Sequence, residues 1–203
     1  MRKVLTTAIS LLLSCTIASA GQASQPKFTF GAEWGYIGVF FSGHHYNYYA
    51  PEGFRVDNRG NEFTYYNNAE AYLHAGYNLS ETYNISVYLG FSAVEDYHHT
   101  IPISIRVTRF CGGDHMKDRP FAFIDLGSGA SVKNNPQMIL TGKAGCGYRL
   151  SLSRDTKLDF IAAWRILLTH PDIYYYGMEV SPGRINRNNA YISAISLGMA
   201  LSF

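Results

Sequence analysis

Over most of the chain apolar residues recur at every second position, and the residues between them are small or polar. From Lys27 to Phe41 the series Phe28, Phe30, Ala32, Trp34, Tyr36, Gly38, Phe40 alternates with Thr29, Gly31, Glu33 and Gly35. From about Asn68 to Leu79, Ala71, Leu73, Ala75, Tyr77 and Leu79 stand against Glu70, His74, Gly76 and Asn78. A turn at 80–82 leads to the most regular stretch. There Tyr83, Ile85, Val87, Leu89, Phe91 and Ala93 face one way, and Asn84, Ser86, Tyr88, Gly90 and Ser92 the other. A period of two predicts β-strands with one greasy face and one slim face. Eleven residues tilted by about 45° cover roughly 25 Å, the height of a membrane barrel's apolar band.

Four further segments follow the same rule. Ile101, Ile103, Ile105 and Val107 oppose Ser104, Arg106 and Thr108; in 120–128, Ala122, Ile124 and Leu126 point outward and Asp125 inward. In 138–152, Leu140, Ala144, Cys146, Tyr148 and Leu150 oppose Thr141, Lys143 and Arg149. In the seventh strand, Leu158, Phe160, Ala162, Trp164, Ile166 and Leu168 oppose Asp159, Ile161, Ala163 and Arg165. The eighth is the end of the chain, where Ile195, Leu197, Met199 and Leu201 alternate with Ala194, Ser196, Gly198, Ala200 and Ser202, and Phe203 is last. A soluble protein rarely leaves such a strand unprotected. Closing it into a barrel removes the edge.

At this strand the chain resembles the small eight-stranded outer-membrane β-barrels of Gram-negative bacteria, the outer-membrane protein A and X class. The resemblance implies an all-β fold: a closed antiparallel up-and-down transmembrane β-barrel of eight strands in the cell outer membrane. It also implies that Phe203, Leu201, Met199, Leu197 and Ile195 are the signal read by the barrel-assembly machinery. Outer-membrane lipid and lipopolysaccharide would be the surrounding partners, and the protein a monomer. In this class the termini are periplasmic and outer loops are long. That puts outer links at about 42–67, 94–100, 129–137 and 169–188, and inner links at about 80–82, 110–119 and 153–156.

Alternation alone does not say which face is inside, since a lipocalin-like soluble barrel also has eight strands. Charge decides it. Glu33, Glu70, Arg106, Asp125, Lys143, Arg149, Asp159 and Arg165 all share the parity of the small face. Small residues suit a narrow lumen, in which charges of both signs can pair, so these eight are expected to form an ion-pair network. Arg109 breaks the pattern at a strand end, where a long side chain can snorkel. Aromatic girdles are expected from Phe28, Tyr83, Phe121, Phe160 and Phe203 below, and from Phe40, Phe91 and Tyr191 above.

The chain opens Met1-Arg-Lys, continues with an apolar stretch from Ala8 to Ile17, and reaches a small-x-small site at Ala18-Ser19-Ala20. That is the pattern of a secretory signal peptide over 1–20, with the barrel domain over 21–203. A lipoprotein box at Leu12-Leu-Ser-Cys15 is the alternative, with a poorer fit at Leu13. Cleavage removes Arg2 and Lys3, so the 17 Lys and Arg of the full chain fall to 15 against 15 Asp and Glu. No basic stripe marks a nucleic-acid partner. No apolar run reaches the ~18 residues of a membrane helix. Cys111 and Cys146 are too few for a metal site of the thiolate kind.

Eight strands enclose an interior just filled by side chains, so a diffusion porin is not expected, nor is a cofactor. The primary expectation is a non-enzymatic surface protein whose loops serve envelope integrity, adhesion or host contact. Two alternatives come from other classes. The barrel class includes lipid A-modifying acyl hydrolases and transferases, and Ser193, His170 and Asp172 fall near the upper ends of strands seven and eight. His44, His45, His98, His99 and His170 gather in the outer links, where imidazoles could bind a metal or haem.

Overall fold

The computed structural model describes residues 27–93, 99–112, 116–131 and 138–203. The signal-peptide segment and His98 lie outside them. Among the described residues eleven strands form: β1 Phe28–Tyr49, β2 Arg55–Glu62, β3 Tyr66–Asn78, β4 Tyr83–Ala93, β5 His99–Phe110, β6 Arg119–Ser131, β7 Met138–Ser151, β8 Lys157–Thr169, the short β9 Tyr174–Tyr175 and β10 Met178–Glu179, and β11 Ile185–Ser202. Eight of them, β1, β3–β8 and β11, pair antiparallel in sequence order, and β11 closes on β1. The seam ends where Phe203 exchanges backbone hydrogen bonds with Phe30, at 2.7 and 3.1 Å.

The greasy face is outside. Phe28, Leu73, Leu89, Ile103, Leu126, Leu140, Trp164, Ile195 and Leu197 are all exposed, a continuous apolar belt around a polar interior. An exterior of this kind is stable in hydrocarbon and not in water, and a closed barrel leaves no unpaired backbone within it. The fold is a transmembrane β-barrel. Arg109 at the lower rim lays its guanidinium over the Tyr83 ring, 5.7 Å from its centroid.

Two expectations are corrected. Phe121, assigned to the lower girdle, is buried at 4% exposure and packs inside the barrel with Phe110 and Phe123. Its strand keeps the predicted outward set of Ala122, Ile124 and Leu126, so odd parity carries Phe121 into the lumen with Asp125. The second correction concerns the outer link 42–67, most of which is sheet. Strand β1 runs 22 residues, roughly 70 Å of chain at ~3.3 Å per residue. Its lower half pairs with β3 up to Val39↔Tyr66, and its upper half with β2 from Ser42↔Glu62 to Tyr49↔Arg55. Strands β2 and β3 are thus one long partner interrupted at 63–65. The hairpin tip is Ala50-Pro51-Glu52-Gly53. The Gly53 N–H bonds the Ala50 carbonyl at 2.9 Å, and Gly53 takes φ 93°, which a residue with a Cβ rarely adopts.

The upper part of β11 pairs with the same stretch of β1, from Ser42↔Ile192 to Asn47↔Arg187. The result is a three-stranded extension, β2–β1–β11, standing above the barrel rim. The β9–β10 hairpin turns through Tyr176 and Gly177, with φ of 47° and 79°. It belongs to a small core of its own, in which Ile173 and Val180 bury against Tyr48 and are flanked by Tyr46, Val56, Tyr175 and Ile185. The predicted link 169–188 is therefore also largely structured.

Candidate functional site

Six barrel strands each aim one charged side chain at the middle of the lumen: Glu33 from β1, Glu70 from β3, Arg106 from β5, Asp125 from β6, Lys143 from β7 and Arg165 from β8. All are buried, three acids against three bases. Arg106 grips Glu33 with both terminal nitrogens, at 2.5 and 3.1 Å, while its Nε donates to Asp125 at 3.1 Å. Its guanidinium lies between two rings, 3.9 Å from the Tyr88 centroid and 4.3 Å from that of Phe123. The Glu70 carboxylate receives Lys143 Nζ at 2.8 Å, Arg165 Nη1 at 3.0 Å and the Ser196 hydroxyl at 2.5 Å.

The register gives these contacts a topological meaning. Lys143 and Arg165 sit directly opposite one another on adjacent strands, where like charges repel. Glu70, on β3 across the lumen, neutralises both. The Arg106–Glu33 pair likewise spans from β5 to β1. These bonds join strands that are not neighbours in the sheet, so the charge layer favours the curled, closed cross-section. Lower down, Arg149 and Asp159 form a two-pronged pair at 2.6 and 2.7 Å, and Arg149 lies over Phe110. The structure thus places all eight charged residues singled out from sequence inside the barrel. Tyr72, Tyr88, Ser92 and Ser196 add hydrogen bonds to these charges, while Arg165 Nε and Nη2 stay without a partner among the described residues; all four carry the inward parity in the sequence, but nothing there pairs them with particular charges.

Apolar layers cap the charges on both sides. Above lie Ile37, Val39, Ile139, Leu167, Ile192 and Ala194; below lie Phe110, Phe121, Phe123, Ile161, Ala163 and Ala200. The lower lumen keeps a polar cavity of about 20 Å³ beside His74 and Arg149, the size of one water. Over the upper plug is an open cup of about 180 Å³.

The alternative site residues are not brought together. The Ser193 hydroxyl accepts a hydrogen bond from the Trp164 indole at 3.2 Å on the outer face. His170 Nδ1 instead meets the Asn188 carbonyl, beyond the last β8–β11 pair at Thr169↔Ala190. Asp172 lies in the link beyond β8, next to the outer hairpin's core residue Ile173. Of the outer histidines, His44 stacks on Tyr46 and His99 contacts Phe91. His45 joins Asp57, Arg59 and Arg187 on the extension, a cluster that sequence reading missed because its members lie up to 142 residues apart. Among the described residues no three His, Cys, Asp or Glu side chains converge on one point. No disulfide joins Cys111 and Cys146. On the terminal strand, Ile195, Leu197, Met199 and Phe203 are exposed outward and Leu201 partly so.

No family model matches the chain, and no curated protein is similar to it. Among solved structures, the chain is similar to Neisserial surface protein A, with a TM-score of 0.45 and 12% identity over 87% of this chain and 97% of that one. It is also similar to the outer membrane protein OprG from Pseudomonas aeruginosa, with a TM-score of 0.49 and 11% identity over 87% of this chain and 96% of that one.

Proposed function

We propose that the chain is an integral outer-membrane β-barrel, exported on its N-terminal signal segment and inserted through its C-terminal strand. It works as a monomer without catalysis. Its lumen is a structural filling, and its role is surface contact or envelope support through the ordered head formed by β2, upper β1, upper β11 and the 173–180 hairpin. One observation carries this reading: a barrel whose charges are spent on each other in a plugged lumen also builds a second, independent core above its rim (Tyr48, Ile173 and Val180). Ordering that many residues costs conformational entropy, which a connection needing only to span two strands would avoid.

The test has two readouts. The outer-membrane fraction is run on a detergent gel, boiled and unboiled, and the purified barrel is placed in a planar lipid bilayer. A shift on boiling with no stable porin-sized conductance is the expected result. Recovery as a soluble periplasmic protein, or steady large conductance steps, overturns the proposal.

A further inference from the structure

The outward face of the β2–β1–β11 extension changes character rung by rung, and the order is informative. At the bottom, Phe41 packs on Phe63 and Tyr191, at centroid distances of 5.1 and 5.7 Å, continuing the aromatic belt. One rung up, Gly43 pairs with Asn61 and Tyr191, whose hydroxyl bonds the Asn61 side chain at 3.0 Å. A side chain at Gly43 would strike both of them. The next rung pairs His45 with Arg59 and Asn189, and the one above it pairs Asn47 with Asp57 and Arg187. The register runs unbroken from Phe41 to Asn47, so all these side chains share the face that lower down meets lipid. Two rungs of ~6.6 Å at a tilt of about 45° place Arg59 roughly 9 Å above Phe41. That is where hydrocarbon gives way to headgroups.

The charge on this face does not balance. Arg59 Nε lies 3.0 Å from the same His45 nitrogen that bonds Asp57, Arg59 reaches the Asp57 carboxylate at 3.5 Å, and Arg187 contacts the other His45 nitrogen at 3.1 Å. Each guanidinium has five N–H donors in a fixed fork, and one carboxylate and one imidazole take few of them. The Arg59 side chain is 68% exposed. A shallow concavity of about 300 Å³ lies beside Arg59, bounded by His45, Asn61, Asn189 and Tyr191. The fork geometry matches a phosphate bidentately, and an aromatic and amide floor beneath it suits a group with an acyl chain leading down into the membrane.

Resting on the membrane reading above, we infer that this face is a docking site for the phosphate-bearing headgroup of a lipid in the adjoining leaflet, gripped by Arg59 and Arg187 and bordered by Asn61 and Tyr191. Bound lipid ties the head to the leaflet and sets its height.

The test uses the full chain folded in nonionic detergent, with bound lipid counted by native mass spectrometry. The probes are bisphosphorylated lipid A, its dephosphorylated form and inorganic phosphate. Wild type is expected to hold the phosphorylated form at least about tenfold more tightly than the dephosphorylated one, and the R59Q/R187Q double variant to bind both alike. R154Q, in the turn at the opposite end of the barrel, should behave as wild type. Equal binding of both lipid forms by wild type, or undiminished preference in R59Q/R187Q that still shifts on boiling, overturns the proposal. Displacement of lipid A by an equal concentration of inorganic phosphate would make this a free-phosphate site and overturn the lipid assignment. Failure of the membrane reading looks different: wild type itself would lack the boiling shift and need no detergent.

Discussion

The barrel and the extension are built from the same two strands, β1 and β11, yet they read in opposite senses. Within the barrel, the outward face is Trp34, Tyr36, Leu197 and Ile195, and the inward face is Glu33, Ser196 and the rest of the charge layer. In the extension, the outward face is Asn61, His45, Arg59, Asp57 and Arg187. There the aromatic residues Tyr46 and Tyr48 turn to the opposite face, under the hairpin that holds Ile173 and Val180. The switch occurs at a register irregularity between Val39 and Phe41, where Phe40 packs on Trp164 and Phe41 on Phe63. Alternation therefore has no fixed meaning of its own. The apolar half faces whatever is not water: lipid around the barrel, and a protein core in the head.

The widest difference should appear in the cost of losing a charge. Arg106→Met removes the guanidinium that two buried carboxylates share, leaving Asp125 without its cation and Glu33 with only Lys143, 3.7 Å away. Breaking a buried pair in this way costs about 3–5 kcal/mol. The urea midpoint of the vesicle-inserted barrel should fall sharply, and the gel shift should be lost at a lower temperature. Arg187→Met deletes an exposed cation of the extension, and its effect should stay below ~1 kcal/mol. If the two variants unfold at the same urea concentration, the lumen layer is not what holds the barrel closed.

That asymmetry also explains what could be read from the chain. The barrel was legible because lipid on one side and a packed lumen on the other impose a strict period of two, and a one-residue slip would expose every charge to hydrocarbon. Hence the ends of β4 and β7 fall within a residue of where alternation places them. The lumen plugs were less visible, since Ile37 and Val39 lie between outward aromatics and make that stretch apolar on both faces. Phe121 and Phe123 hide in the same way beside Ala122 and Ile124. The extension was missed because above Phe41 neither of its faces meets hydrocarbon. Gly43-His-His-Tyr-Asn-Tyr-Tyr49 and Arg55-Val-Asp-Asn-Arg-Gly60 carry no hydrophobic alternation. The one available signal was Pro51-Glu52-Gly53, a hairpin turn flanked by Tyr48-Tyr49 and Arg55-Val56. The pairing of Glu70 with Lys143 and Arg165 was beyond reach, because parity gives the face and not the partner across the lumen.

A cut into the head's own core tests whether the two regions are independent. Tyr48 is buried at 7% exposure against Ile173 and Val180. Truncation to alanine should destabilise the head by about 2–4 kcal/mol, the cost of emptying a packed aromatic site. Because the head shares no core residue with the barrel, the loss should be local. Protease should then cut faster at 50–54 and 173–180, with the boiling shift unchanged. A simultaneous drop in barrel stability would mean that the head is part of the barrel's folding unit.

The smallest expected effect is a pH dependence confined to the extension. Partial desolvation pushes the Asp57 carboxyl up, but the hydrogen bond from His45 and the charge of Arg59 outweigh it, and the group is held below its ordinary value of 3.8. A carboxylate depressed in the folded state stabilises that state at pH above its unfolded value, and the contribution disappears as pH falls through the folded one. Acidification below about pH 4 should therefore loosen the β1–β2 pairing around His45, seen as faster amide exchange at 45–47 and 57–59. The Asp57→Asn variant should remove this pH dependence. In β4 and β5, remote from Asp57, exchange should stay slow across the same range. If exchange in β4 and β5 accelerates in step with that of the extension, acid is opening the lumen pairs instead, and the two regions do not respond separately to protons.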